Sequence, residues 1–400
     1  MIIHSPKIEK KGDKVRVSAY IEVETKKAYS DILWYEFDKE YEEYISKSLN
    51  GFVSAVLFLA MHLGEDIKAE GKMSSKLAYG LKKFQKFFNF WHPKDFKTVQ
   101  ISCDGYEREK KTPEGVMCTF SGGVDSFYTV YEHLPANEDN PNHQITHGLL
   151  LDGFALPRTD TLNHSYELIR ESYEKLSRKL GIELVYVATN LADFYKGRIP
   201  PASIDGPVLA SVPLILGRLI STFHIASCLS YSQVLPRGSN AFTNHLLSTE
   251  KLTVTIHGSH KSRVEKTEAI ANWPETYDTL RVCWEDIGVS NCCKCEKCVR
   301  TMITLEAAGF LSKYKTFPSP LSRNKVRTWR LYAKHNFWFA KEIKDYAKFK
   351  GRKKIVFDVR YAMARSKTRN IIRSLLRIAR RLVNSTLPAL KNRSKTHGNG

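Results

Sequence analysis

The stretch that decides the fold covers residues 115–126 and reads GVMCTFSGGVDS. Its first six residues form a short apolar run that is typical of a buried strand, and a helical pattern follows at residues 127–133. A strand, a glycine-rich turn and a helix in this order bring backbone N–H groups and the positive end of the helix dipole to one point. The stretch therefore predicts an anion site at the carboxyl end of a strand.

Strand and helix patterns continue to alternate after this stretch. Strands are predicted at residues 147–152, 182–187, 232–235 and 252–256, and helices at residues 161–180 and 208–229. Such alternation is typical of a parallel sheet with helices wound on both faces, which binds ligands at the carboxyl ends of its strands. We therefore expect an α/β domain with a doubly wound parallel sheet over residues 111–310.

The residues before this domain show a different organisation. Residues 14–24 alternate between apolar and polar side chains, as a half-buried strand does, and helical patterns fill residues 49–88. These features predict a smaller N-terminal α+β domain over residues 1–110, of unknown role. The apolar run at residues 51–63 is shorter than the roughly 20 residues of a membrane span, so it predicts a buried helix. Residues 1–14 lack a secretory signal pattern, and we expect a cytoplasmic protein.

Positive charge is concentrated at the end of the chain. The net charge is +20, and residues 310–400 hold 25 Lys and Arg against 3 Asp and Glu. Residues 311–400 are therefore predicted to form a basic helical tail in which apolar residues alternate with arginine. Residues 365–395 could contact an anionic membrane, making the protein peripheral to it, or a nucleic-acid backbone. A helix packed on its own protein with solvated charges is the alternative.

The residue types of the glycine-rich turn suit a phosphate. Gly122 and Gly123 can take positive φ and let phosphate oxygens approach the backbone. Ser121 and Ser126 can donate hydroxyl hydrogens, and Asp125 can hold Mg²⁺ or orient the turn. A turn closed by the two glycines, with a capped helix after it, is the alternative without a ligand.

The string Ser-Gly-Gly-Val-Asp-Ser at residues 121–126 resembles the phosphate loop of the N-type ATP pyrophosphatase superfamily, and it differs from the lysine-containing P-loop. The resemblance implies an adenine nucleotide α-hydrolase-like fold, with ATP and Mg²⁺ as cofactors. It implies that ATP adenylates a carboxylate or carbonyl oxygen and releases pyrophosphate. Ser121, Asp125 and Ser126 would be catalytic, and the nucleotide would be bound by Ser121, Gly122, Gly123, Val124, Asp125, Ser126 and Asp152.

Five of the eight cysteines fall within residues 283–298. Four of them follow the pattern C-x8-C-x2-C-x2-C, which suits a closed tetrahedral Zn²⁺ site of structural type. An iron-sulfur cluster is the main alternative, although the run lacks the ending typical of bacterial ferredoxin sites. The predicted ligands are Cys283, Cys292, Cys295 and Cys298.

A phosphate loop followed by this cysteine pattern resembles the 7-cyano-7-deazaguanine synthase family over residues 116–305. The resemblance implies a ligase that adenylates a carboxylate and uses ammonia to form an amide and then a nitrile, as in queuosine biosynthesis. The chain departs from the family because a Tyr-Pro-Asp-Cys-Arg type segment is missing, and residues 256–263 stand in its place. The candidate substrate contacts are Asn240, His257, Ser259 and Arg263.

Two other functions are compatible with these residues. A tRNA-modifying member of the superfamily, forming a thiolated base or lysidine, would use the basic tail to grip RNA. A non-catalytic subunit would bind the nucleotide without turning it over. The expected partners are accordingly a small or protein-borne carboxylate, ammonia, a nucleic acid or anionic membrane, and a second copy of the chain.

Overall fold

The computed structural model describes residues 1–107, 113–154, 158–285 and 288–393, and within them only the backbone of residues 160–163 and 378–393. The chain divides into two compact units. The first comprises Met1–Asn291 together with Lys313–Thr316, and the second comprises Cys292–Ser312 together with Phe317–Gly400.

Eleven strands of the described residues form a single sheet in the first unit. Six of the ten strand pairings are parallel. The predicted α/β class with a mostly parallel sheet is therefore confirmed. The strands are β1 (Ile2–Ile3), β2 (Lys7–Lys11), β3 (Lys14–Glu22), β4 (Asp31–Asp38), β5 (Ile67–Met73), β6 (Ile101–Tyr106), β7 (Gly115–Thr119), β8 (His147–Asp152), β9 (Glu183–Thr189), β10 (Ile220–Ala226) and β11 (Thr253–His257).

The last five strands along the chain are all parallel and lie in the order β11-β10-β7-β8-β9. Strand β7 has its successor β8 on one side and β10 on the other, so the winding of the sheet reverses at β7. In doubly wound sheets the ligand crevice opens at this reversal, outside the carboxyl ends of the strands. The glycine-rich turn leaves β7 at that end.

The N-terminal strands continue the same sheet. Strand β4 pairs antiparallel with β9, with Tyr35 opposite Thr189, and the sheet then continues through β3, β1, β5 and β6 while β2 pairs with β3. Thr189 Oγ1 also donates to the backbone oxygen of Trp34 at 2.7 Å. We expected residues 1–110 to form a domain of their own. Instead one apolar cluster extends from Met1 to Val254, because the two halves share a continuous sheet.

The described residues of the first unit form seven helices, six of which lie between strands along the chain. The predicted buried helix at residues 51–63 is confirmed by α1, whose residues from Asn50 to Met61 are all buried. It packs closely on α6, since a Cβ at Gly51 would lie 2.7 Å from the backbone oxygen of Ser211. The helices are α1 (Asn50–Leu63), α2 (Ser75–Trp91), α3 (Val124–Glu132), α4 (Asp160–Leu180), α5 (Leu191–Tyr195), α6 (Pro201–Ile215) and α7 (Arg263–Ala271).

Two element predictions were wrong. Residues 208–229 were expected to form one apolar helix, but α6 ends at Ile215 and β10 begins at Ile220. The strand wins because its β-branched residues are buried between β7 and β11, and an apolar run alone does not distinguish a buried strand from a helix. The strand expected at residues 232–235 is absent, and Tyr231–Gln233 forms a short 3₁₀ turn.

The second unit is helical. It contains α8 (Glu296–Ala308), α9 (Arg323–Arg327), α10 (Lys334–Phe349) and α11 (Lys353–Arg393). Buried Asp358 of α11 accepts hydrogen bonds from Arg323 Nε at 2.8 Å and from Arg327 Nε at 2.6 Å, which joins α9 to α11. The tail predicted at residues 311–400 is thus folded together with α8, and its residues 394–400 lie outside the described ones. Among the described residues, every helix is too short or too polar to span a membrane.

Candidate phosphate site and cysteine cluster

The turn after β7 is shaped by one glycine in a left-handed conformation. Gly122 has φ +71°, and a Cβ added there would lie 1.5 Å from the hydroxyl of Tyr173. Gly123 has an extended φ of −84° and is the N-cap of α3. Both glycines were expected to be able to take positive φ, and only Gly122 does so. Because Tyr173 lies so close, the turn has no room for a side chain at position 122.

We expect Gly122→Ala to lower the free energy of unfolding more than a substitution at another left-handed glycine. Moving alanine into this conformation costs about 1–2 kcal/mol, and the overlap with Tyr173 adds about 1–3 kcal/mol. Gly181→Ala is the matched control, because Gly181 has φ +68° with nothing within 4 Å of its added Cβ. Urea unfolding of the two variants measures the difference, and equal losses would show that the Tyr173 contact does not constrain the turn.

Hydrogen bonds hold the turn at both ends. The backbone N–H of Arg281 donates to Gly122 O at 2.8 Å, and the Tyr173 hydroxyl donates to Ser121 O at 3.4 Å. Ser121 Oγ donates to Ser126 Oγ at 3.3 Å, and Ser126 Oγ donates to Gly123 O at 3.1 Å. No side chain caps the N-terminus of α3. The backbone N–H groups of its first turn are therefore oriented toward the space that an anion would take.

Two cations converge on Asp125, the acidic residue of the turn. Arg263 Nη2 lies 2.6 Å from Asp125 Oδ2, and Lys266 Nζ lies 3.7 Å from Asp125 Oδ1. The side chains of Arg263 and Lys266 are only 12% and 1% exposed. Lys266 Nζ also donates to Ser227 O, just past β10, at 2.5 Å. Two nearly buried positive groups therefore stand beside the uncapped helix end, on the side where β10 and β11 terminate.

Lys266 was missed in the sequence, although a signal for it was present. Arg263, a predicted substrate contact, is the first residue of α7, which begins after the N-cap Ser262. Residues three apart on a helix share a face, so a lysine at position 266 follows Arg263 toward the same partner. Burial lowers the pKa of Lys266, and the charge of Asp125 opposes that shift. A buried lysine of this kind needs an anionic neighbour.

Asp152 lies at the carboxyl end of β8, as expected, but other side chains already engage it. Its carboxylate is 1% exposed, with Arg158 Nη1 at 2.6 Å and the donating Tyr186 hydroxyl at 2.9 Å from Oδ2. Burial raises the pKa of Asp152, and Arg158 and Tyr186 counteract that rise. Through this ion pair Asp152 holds Arg158 in place at the edge of the crevice.

Two of the four predicted substrate residues, Asn240 and Ser259, lie beside the glycine-rich turn and do not contact it. Asn240 uses its side chain in its own turn, since Nδ2 donates to Arg237 O at 2.8 Å and Oδ1 accepts from Phe242 N at 2.9 Å. Ser259 is buried and lines one recess together with Asn240, Ser227 and Cys228. Of the four predicted substrate residues, Arg263 is therefore the one in direct contact with the glycine-rich turn at residues 121–126, while Asn240 and Ser259 share a neighbouring recess.

His257, the fourth predicted substrate residue, belongs to a packed group of histidines. Its ring centroid lies 4.4 Å from that of His133, which lies 4.5 Å from that of His224. His257 Nδ1 is 3.1 Å from Thr129 Oγ1, and His224 Nδ1 is 2.8 Å from Thr255 Oγ1. The group lies between α3 and the last two strands. It therefore joins α3, the helix that follows the glycine-rich turn, to the sheet.

We expect the histidine group to make the fold sensitive to acid. Burial lowers the pKa of His224 to about 3 and that of His257 to about 2, and repulsion from His133 acts in the same direction. Unfolded histidines titrate near pH 6.5, so the unfolded state binds the extra protons below that pH. The stabilisation is complete above about pH 6.5 and is lost as the pH falls, by up to about 1.4 kcal/mol per pH unit for each histidine.

Urea unfolding between about pH 7.5 and pH 5 measures this slope. His224→Asn, which can keep the bond to Thr255, should reduce the slope by about one proton. The control His164→Asn should leave it unchanged, because the His164 side chain is 74% exposed. An unaltered slope in His224→Asn would contradict the assignment.

The four predicted cysteine ligands come together. The sulfur atoms of Cys283, Cys292, Cys295 and Cys298 all lie within 4.8 Å of one another, and Cys292 Sγ is 3.8 Å from Cys298 Sγ. Tetrahedral Zn²⁺ with Zn–S bonds of about 2.3 Å requires sulfur–sulfur distances of about 3.8 Å. In the described part of the chain this is the one group of three or more metal-binding side chains at such spacing. The cluster is therefore compatible with zinc.

Backbone N–H groups support the sulfur atoms. Cys292 Sγ accepts from Lys294 N at 3.4 Å and Cys295 N at 3.2 Å, and Cys295 Sγ accepts from Cys298 N at 3.4 Å. Such bonds stabilise thiolate charge and fix ligand orientation around a metal. The turn that aims these donors has its one left-handed non-glycine residue at Cys293, with φ +56°. Cys293 is the extra thiol that lies outside the group of four.

Asn291 positions the first ligand of the cluster. Its Oδ1 accepts from Val282 N at 2.8 Å and from Cys283 N at 3.1 Å, and its Nδ2 donates to Leu280 O at 2.9 Å. The backbone N–H of nearby Arg281 is the group that holds Gly122 O. Residues 280–283 therefore contribute both a predicted cysteine ligand and the backbone hydrogen bond that holds the glycine-rich turn.

Comparison with known proteins leaves the function to be argued from this geometry. The chain matches no protein-family model, no curated protein and no solved structure. The turn, its two cations and the cysteine cluster are therefore the observations on which a function must stand.

Proposed function

We propose that the protein is an ATP-dependent ligase that adenylates a carboxylate, releases pyrophosphate and then forms a carbon–nitrogen bond. The observation that carries the proposal is the convergence of Arg263 and Lys266 on Asp125, beside the uncapped start of α3. Backbone N–H groups and two buried cations are the groups that a departing pyrophosphate needs. The strand order around β7 is that of sheets that bind nucleotides at this edge.

The catalytic contribution of these residues would be electrostatic. Negative charge builds on the oxygen that bridges the α and β phosphates as the carboxylate attacks the α phosphorus. Lys266 and Arg263 are held in place before the reaction, so they could stabilise that charge without reorganisation. Ser121 could turn its hydroxyl from Ser126 Oγ to a phosphate oxygen, and Ser126 could turn its hydroxyl there from Gly123 O. Asp125 would keep the two cations apart and orient them.

The proposed nucleotide would lie in the crevice with its phosphates at the start of α3. With the phosphates at α3, the adenosine would extend along the sheet edge past β8, where Arg158 and Asp152 lie, as in an adenine nucleotide α-hydrolase-like fold. Mg²⁺ would enter with ATP, because the Asp125 carboxylate already faces two cations and offers one side chain only. The ion would neutralise phosphate charge when bound.

The acceptor carboxylate would be held in the recess beyond β10. Ser227, Ser259 and Asn240 line it next to the carboxyl ends of β10 and β11, on the side from which Lys266 reaches Ser227 O. Ammonia would then displace AMP to give an amide, and a second ATP could activate the amide for dehydration to a nitrile. A deazapurine carboxylate is the substrate that the two sequence motifs imply.

The cysteine cluster would hold structural zinc. Four sulfurs within 4.8 Å suit a single tetrahedral ion, whereas a four-iron cluster bonds each cysteine to a separate iron and needs a wider cage. No position would remain for water or substrate. The ion would therefore stabilise residues 283–298 and take no part in the chemistry.

Pyrophosphate release from α-labelled ATP tests the proposal. The purified protein is incubated with and without 7-carboxy-7-deazaguanine and ammonia, and AMP is scored against ADP. Substrate-dependent AMP that disappears in Asp125→Ala supports both the chemistry and the acceptor. AMP that requires cell extract keeps the chemistry and rejects the acceptor. Nucleotide binding without AMP under any condition would instead indicate a non-catalytic nucleotide-binding subunit.

A further inference from the structure

The second unit contains a recess lined by arginines. Arg365, Arg369 and Arg373 are spaced by four residues on α11 and therefore share a face of the helix. Arg330 comes from the segment between α9 and α10, where its Nη1 donates to the Tyr332 hydroxyl at 3.2 Å. The recess is lined by Arg330, Tyr332, Arg365, Arg369, Asn370 and Arg373.

Within the part of the chain that the structure describes, no carboxylate neutralises these arginines. Among the described residues of this unit, Asp358 pairs with Arg323 and Arg327, and no ion pair involves the recess arginines. Asp358 is also the last acidic residue in the sequence. The charges of Arg330 and then Arg373 lower the pKa of Arg369. Positive groups that repel one another at a shared recess are stabilised by an anion, and guanidinium groups match phosphate oxygens in pairs.

Large apolar side chains are exposed on the same stretch of α11. Ile371, Ile372, Leu375 and Leu376 are 60%, 51%, 61% and 56% exposed. Their spacing of one, four and five residues places them in one stripe along the helix. A cluster of exposed aliphatic residues bordered by arginine marks a surface that is covered by a partner. The partner must therefore be both anionic and apolar.

These two requirements distinguish between partners. A nucleic acid would satisfy the arginines but gives no reason for four exposed isoleucines and leucines. A second copy of the chain would cover the apolar stripe but would bring the same uncompensated arginines against the first. An anionic bilayer offers lipid phosphates beside acyl chains, which is the environment that an interfacial helix of this composition prefers.

We propose that residues 365–377 of α11, together with Arg330 and Tyr332, bind the surface of an anionic phospholipid membrane. The recess takes lipid phosphate groups, and the stripe of Ile371, Ile372, Leu375 and Leu376 enters the boundary between headgroups and acyl chains. The binding does not depend on the ATP chemistry proposed for the first unit, so the two proposals fail separately.

Co-sedimentation of the full chain with vesicles tests the proposal. Vesicles of phosphatidylcholine are compared with vesicles that also contain phosphatidylserine, and we expect binding to the latter only. Replacing Arg365, Arg369 and Arg373 with Gln should weaken this binding about a hundredfold. Leu375→Ser with Leu376→Ser keeps every charge and should still weaken it at least about tenfold.

Matched controls and a competing ligand make the outcome decisive. Gln in place of exposed Lys7, Lys11 and Lys27 removes the same charge, and Phe349→Ser removes another exposed apolar group. Neither change should alter binding. Three results would overturn the proposal: binding to phosphatidylcholine alone, binding that survives both α11 variants, or binding of tRNA or self-association in place of vesicle binding. Melting temperatures equal to that of the unaltered chain establish that the variants are folded.

Discussion

Cys298→Ser is expected to abolish the proposed zinc binding and to lower the free energy of unfolding by several kcal/mol. Cys298 is fully buried, and its sulfur lies 3.8 Å from that of Cys292, a distance that is compatible with a shared tetrahedral ion. Comparable four-ligand zinc sites contribute about 10–16 kcal/mol of apparent binding free energy, which folding gains because the unfolded chain lacks the site. Metal content by mass spectrometry and urea unfolding measure the two effects.

Cys293→Ser is the control for this change. Cys293 is equally buried and next to a ligand, but its sulfur is not one of the four that come together. The variant should keep one metal ion per chain. A chelator strong enough to remove the ion should lower the stability of the unaltered chain to that of Cys298→Ser. Loss of metal from both variants alike would show that the ligands are not the four proposed here.

Lys266→Met is expected to reduce the rate of AMP formation by about a hundredfold to a thousandfold. Removing one preorganised donor to a developing negative charge has effects of this size. Methionine fills a similar volume, and Asp125 retains Arg263 at 2.6 Å, so the fold should be preserved. The rate of AMP formation at saturating ATP, together with the melting temperature, separates a catalytic loss from a structural one.

Lys261→Met removes a lysine from the same segment and should leave the rate within about twofold of that of the unaltered protein, because exposed charges in high dielectric contribute little. Its side chain is 42% exposed and lies 4.0 Å from Glu265. If Lys266→Met reacts as fast as this control, Lys266 serves only to fill and neutralise the space beside Asp125, and the proposed role in leaving-group stabilisation is wrong.

The parts of the site that could be predicted depend on residues close together in the sequence. The turn at Gly122 requires a glycine, and α3 begins two residues later. The turn can therefore be recognised from residues 115–133 alone. The spacing of Cys283, Cys292, Cys295 and Cys298 likewise specifies a compact group of sulfurs, and the structure confirms it. The start of α7 is also determined by residues close together in the sequence, since Ser262 precedes Arg263 as its N-cap.

The remaining features depend on contacts between distant parts of the chain. No residue close to Tyr35 in the sequence indicates that Tyr35 pairs with Thr189. The sequence therefore predicts two domains where the structure has a continuous sheet. Residues 208–229 are apolar throughout, and only the neighbours β7 and β11 decide that residues 220–226 are a strand. The histidine group also escaped prediction, because His133, His224 and His257 come from three separate elements that meet only in the folded chain.

The pairing of β4 with β9 affects how the protein can be made. During synthesis, β4 leaves the ribosome long before β9 does, and at about 5–20 residues per second the delay is about 7–30 s. Throughout that interval the apolar surface of α1 stays uncovered, because α6, which packs on it, also emerges late. Nascent chains in this condition are open to capture by chaperones or by one another. The first third of the protein therefore depends on translation of the next third for its own completion.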